Sequence, residues 1–147
     1  MAEIGFYHLT RTDYGAALPA LLGRTLALGE RAVVVCPDDD LLKTLDAALW
    51  VCANPDWLPH GTAATPHPEW QPVYLTVGGE NPAGAAFLFR IGGATADVSA
   101  YKRMFDLFDG NDEKQVLAAR GRWKEAKEAG HTLAYWKQEE SGWVKAG

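Results

Sequence analysis

The sequence predicts an α/β protein, a three-layer Rossmann-like open sheet, mostly parallel, with helices on both faces. Three observations carry this. The chain begins in strand, helix, strand, helix order, its second strand is an almost unbroken apolar run, and its helical stretches open on acids, the first and last closing on glycine. At 147 residues and 48% hydrophobic content, residues 1–147 fit one domain able to bury such a core.

Residues 4–9 read as the first strand and residues 14–28 as a helix, with Asp13 as N-cap, Pro19 in its early turns and Gly29 as its stop. Residues 31–36 form the apolar run of a strand covered on both faces. Pro37 and Asp38 to Asp40 then open a second helix, ending near Trp50, with acids at the positive end of its dipole. Residues 54–72 are rich in Pro, Gly, Thr and His, and predict an ordered irregular loop longer than most connections. Residues 72–77 and 86–91 are strands joined by a turn-rich link at 78–82. Residues 102–108 read as the next strand, with a helix over 97–108 as the alternative. Asp109 to Asp112 break the chain before a last helix over 112–129 that stops at Gly130. Residues 132–138 and 143–145 flank a break at 140–142, so that 137–147 form a closing hairpin or a loose tail.

Against a net charge of −5, the last helix concentrates Arg120, Arg122, Trp123, Lys124 and Lys127. At about 100° per residue, Arg120, Trp123, Lys124 and Lys127 share one arc, while Arg122 points to the other side. Such a face holds an acidic molecule with an apolar end. The same helix also carries Val116, Ala119, Trp123 and Ala126 at the spacing of a buried seam, so Trp123 can belong to the core and still offer a ring edge.

Other chemistry finds little support. No phosphate-binding glycine loop follows the first strand, which leads into Thr10, Arg11, Thr12 and Asp13. His8, His60, His67 and His131 lack zinc-ligand spacing, and Ser99 and Ser141 sit in no nucleophile elbow. No cofactor or metal is expected. An acidic chain is poorly suited to gripping DNA along its length, so direct DNA contact is not expected. Cys36 and Cys52, with no close pair, suggest a reducing, cytoplasmic setting, and the absence of a basic leader or of about 18 consecutive apolar residues predicts a soluble chain without membrane contact. Of the aromatics near the long loop, Trp50 is expected to fold back over the sheet and Trp57 to anchor an interface.

Taken in order, Phe6 to Leu9, the strand at 31–36 followed by an acid, Leu45, Asp46, Ala48, Leu49 and Trp50, then Trp57, Leu58, Pro59 and His60, and the helix from Arg120 to Lys127 resemble the chi subunit of bacterial DNA polymerase III. The resemblance implies a Rossmann-like, non-catalytic adaptor attached to the clamp-loader complex that binds the acidic C-terminal tail of single-stranded DNA-binding protein, a tail ending in phenylalanine. It places the tail site on Arg120, Trp123, Lys124 and Lys127, with Phe108 as a pocket wall and Val116 at a position that is basic in the family. The usual Tyr is Trp123 here. It also implies a second surface, at Trp57, Leu58, Pro59 and His60, for the small psi subunit or a competing helicase. The alternative reading, from fold class alone, is a small enzyme holding a nucleotide or phosphate at a strand-end crevice.

Overall fold

Six parallel strands and one antiparallel strand form a single sheet in the computed structural model, which describes residues 3–51, 59–139 and 142–146. In chain order the elements are β1 (Glu3–Leu9), α1 (Tyr14–Ala27), β2 (Ala32–Val35), α2 (Asp39–Trp50), β3 (Val73–Thr76), β4 (Phe87–Ile91), β5 (Arg103–Asp109), α3 (Glu113–Glu128), β6 (Thr132–Glu139) and β7 (Gly142–Lys145). Across the sheet they run β3-β2-β4-β5-β1-β6-β7, with β7 antiparallel to β6. The predicted α/β architecture is therefore the one observed. β7 pairs with the end of β6, Trp136 to Glu139 against Gly142 to Lys145.

Strand periodicity sorts the core into two layers. Along β5, Phe105 and Leu107 face α1 and α2, where Leu18, Leu22, Leu45, Leu49 and Phe89 complete one cluster. Met104 and Phe108 face the other way and pack with Ile4, Phe6, Leu88 and Ala119 of α3. Burial on both sides is what a strand between β4 and β1 requires, and it excludes the helical alternative for residues 97–108. Only Val98–Ala100 of that stretch is helical, as a single 3-10 turn.

The helix ends follow their predicted chemistry. Asp13, Asp38 and Asp112 cap α1, α2 and α3 by accepting from the backbone N–H groups of Ala16, Leu41 and Lys114 at 2.9, 2.8 and 3.0 Å. Gly29 and Gly130 take positive φ just past α1 and α3, where a side chain would be strained.

One expectation is corrected. Trp50 is 65% exposed, because it lies about 100° around α2 from the buried Leu49, and its ring meets that of His60 at 4.6 Å between centroids. The described part of the long loop is ordered and irregular, with Gly61 bridging β3 at Tyr74 and Pro68–Trp70 forming a 3-10 turn. Residues 52–58 lie outside the described residues.

One buried charge was not foreseen. Asp106, fully buried on β5, accepts from Arg90 Nε and an Arg90 terminal nitrogen at 3.2 and 2.8 Å, and from Arg122 Nε and a terminal nitrogen at 2.7 and 2.9 Å. This joins β4, β5 and α3. Removing the carboxylate leaves two guanidiniums facing each other in a poorly hydrated place, so Asp106→Ala should lower stability by about 3 kcal/mol or more in urea unfolding. A loss below about 1 kcal/mol would show that the three side chains do not act as a unit.

Candidate functional site

Helix α3 lies on the sheet along the predicted seam: Ala119 is buried, and Val116, Trp123 and Ala126 are half-buried against the Phe6 and Phe108 cluster. Trp123 therefore serves the core. Its ring meets Phe6 edge-on at 5.2 Å and Tyr135 of β6 at 5.9 Å. Both roles predicted for it are compatible, because one part of the indole stays at the surface.

Arg120, Lys124 and Lys127 are exposed, and none pairs with a carboxylate among the described residues. Arg122, two positions from both Arg120 and Lys124, turns inward to Asp106, as the helical geometry predicts. Phe108 is not an exposed wall. At 1% exposure it lies beneath the surface, its ring 5.1 Å from His8 and 6.2 Å from Tyr135, which stand between it and solvent.

Those two residues join the site without having been predicted. His8 Nδ1 and the Tyr135 hydroxyl are 2.5 Å apart, linking the ends of β1 and β6 beside Arg120. A Cβ at Gly110 would come within 2.1 Å of His8 Nε2, so only glycine lets the loop after β5 close over the imidazole. Burial pushes the imidazole pKa below its usual 6.5, and the Lys137 and Arg120 charges push it the same way, against a hydrogen bond to the Gly110 backbone and the charge of Asp109. The phenol of Tyr135 is raised by burial, with Arg120 opposing. The scattered histidines gave no metal spacing, and pairing across 127 positions is invisible to a local pattern.

The predicted partner surface is partly in view. Trp57 and Leu58 lie outside the described residues, Pro59 is half-buried, and His60 is buried at 4% exposure, its Nε2 3.0 Å from Asp46 Oδ1. His60 supports Trp50 from beneath rather than displaying itself.

The strand-end crevice of the alternative reading exists too. A cavity of about 300 Å3 lies between the C-terminal ends of β1 and β5, lined by Thr10, Arg11, Asp13, Tyr14, Asp109 and Asn111, where helices depart to opposite faces of the sheet. Yet the donors a phosphate would use are occupied. Gln138 Oε1 accepts from the backbone N–H groups of Thr10, Arg11 and Thr12 at 3.2, 2.8 and 3.1 Å, and Asp13 takes that of Ala16. Asp13 and Asp109 add negative charge. The geometry is unfavourable to an anion there.

The family model described as "DNA polymerase III chi subunit, HolC" matches residues 1–134. The chain belongs to the chi subunit family. It is also 26% identical over 88 residues to the "Probable DNA polymerase III subunit chi" of Rickettsia prowazekii (strain Madrid E), an alignment covering 60% of this chain and 53% of that relative. The chain thus spans about half the length of the curated relative it matches. Both matches carry the name of the chi subunit of DNA polymerase III. The match spans β1 through α3 and reaches β6, leaving Tyr135, Lys137 and Gln138 beyond it.

Because the native imidazole pKa is lowered, the fold favours neutral His8. That contribution to stability is fully present above the ordinary 6.5 and is lost as pH falls through the lowered native value. Urea unfolding between about pH 7.5 and about pH 5 should show this loss, and His8→Gln should flatten it. An unchanged profile in that variant would mean that other groups set the acid limb.

Proposed function

We propose that this chain is a non-catalytic adaptor of the DNA polymerase III holoenzyme, linking the clamp-loader complex to the acidic C-terminal tail of single-stranded DNA-binding protein in the cytoplasm. The observation that supports it best is the arrangement on α3: Arg120, Lys124 and Lys127 exposed without carboxylate partners among the described residues, around an indole braced by Phe6 and Tyr135. In this reading the Arg120 guanidinium holds the terminal carboxylate by a forked hydrogen bond, and the lysines attract the acids upstream. The tail's phenyl ring packs on Trp123 and Tyr135, with the buried Phe108 stiffening the floor. Val116, half-buried, supplies apolar contact where a basic residue would have added charge. The second surface, assigned to Trp57, Leu58, Pro59 and His60, receives the psi subunit or a helicase.

Calorimetry with an acidic peptide ending in Phe should give a Kd on the order of micromolar, about −8 kcal/mol. Binding should weaken as salt rises, because the cations are exposed. Arg120→Ala and Trp123→Ala should each weaken it about tenfold or more, as should deleting the terminal Phe. Equal heats for the full and shortened peptides would contradict the assignment. For the second surface, Trp57→Ala should release the partner that co-purifies with the wild-type chain while leaving tail binding intact; retention of that partner would move the interface elsewhere.

A further inference from the structure

On the face of the sheet away from α3, a cavity of about 370 Å3 opens between the C-terminal end of α1 and the first residues of β4 and β5. Leu21, Leu28, Phe87 and Phe105 make its walls apolar, and its volume falls in the range of about 300 to 1,000 Å3 usual for small-molecule sites. Two arginines, Arg24 and Arg103, stand at it. The Arg103 guanidinium lies 4.8 Å from the Phe105 ring centroid and 5.8 Å from that of Phe87, which holds its charge against ring faces. Neither arginine pairs with a carboxylate among the described residues. Glu30 is engaged by Lys102 at 2.7 Å, and Glu3, in register with Arg103 across β1 and β5, makes no ion pair with it.

Tyr7 supplies a third polar group, and it is held firmly. Its ring stacks on Trp136 at 6.3 Å, meets Trp143 edge-on at 5.0 Å, and leans over Gly5, where a Cβ would come within 2.8 Å of Tyr7 Cε1. The phenol lies within the fields of Arg103 and Arg24. Burial outweighs both charges and raises its pKa above the usual 10.0, so the hydroxyl keeps its proton. A protonated phenol can donate one hydrogen bond to an acceptor. Arg24, in the last turn of α1, complements the helix dipole, but that duty explains neither the second arginine on its aromatic bed nor the clamped tyrosine.

The geometry points to a second anion site, formed by Arg24, Arg103 and the Tyr7 hydroxyl over an apolar cavity, that takes a small free aromatic carboxylate. The carboxylate meets the two guanidiniums and the hydroxyl, and the ring enters between Phe105 and Leu28. The site is independent of the α3 face.

The test is an NMR titration of the full chain, 15N-labelled, with 3-phenylpropionate and with its uncharged amide. The carboxylate should give saturable shifts at the backbone amides of Thr25, Leu28 and Arg103, and the uncharged amide should bind about tenfold more weakly. Arg24→Gln and Arg103→Gln should each weaken the carboxylate about fivefold, while Arg120→Ala leaves it unchanged. Arg24 is exposed, so its variant keeps the experiment readable if Arg103→Gln does not fold. Equal binding of acid and amide, shifts confined to α3, wild-type binding by the Arg24 variant, or no saturable shift would each overturn the proposal. Tighter binding at these amides by a peptide ending in Phe would overturn the commitment to a free small molecule.

Discussion

Asp106 determines how α3 lies on the sheet, and the candidate surface follows from that. The carboxylate is buried in β5 and satisfied by Arg90 and Arg122, so Arg122 must face the sheet. Residues two positions away on a helix point about 200° from it, which turns Arg120 and Lys124 to the solvent. Trp123, one position on, falls at the boundary, where Phe6 and Tyr135 receive its ring. A helix rolled by one position would bury Arg120 and expose the seam. The ion cluster thus acts as a rotational stop, a positioning role for which buried charge is well suited even where it adds little net stability.

The edge of the sheet contributes as much to the surface as α3 does. β6 carries Tyr135 and Lys137 beside the helix, and its Gln138 fills the amides of the β1 to α1 loop. That last contact occupies, with the protein's own side chain, the backbone amides beside the crevice where many α/β proteins bind phosphates. In this fold a side chain of β6 takes the amides that a phosphate would use. Family membership from β1 to the start of β6 fits this division: the shared part supplies the sheet and α3, and the hairpin beyond it finishes the surface.

Much of this was legible in the sequence. Caps at Asp13, Asp38 and Asp112, glycine stops, and the apolar run of β2 are local signals, and each element they mark is present. The arc of Arg120, Trp123 and Lys124 was legible for the same reason, since helical periodicity is a property of neighbours. What escaped depends on distant pairing. His8 meets Tyr135, Asp106 meets Arg122, and Gln138 meets Thr10 only after the sheet is assembled. Phe108 was misplaced by one layer because a strand end beside a helix can be wall or floor, and β1 and β6 decide which. Trp50 was misjudged because a large apolar ring at a helix end gives no indication of which side its last turn presents.

The central claim is that α3, held in this rotation, presents Trp123 and Arg120 as the receptor for an acidic chain terminus. Intermolecular NOEs in the complex with an acidic peptide ending in Phe test it most directly. The account predicts contacts from the terminal phenyl protons to the Trp123 indole and the Tyr135 ring. A saturated complex whose phenyl protons show contacts only to residues away from α3 and β6 would contradict it.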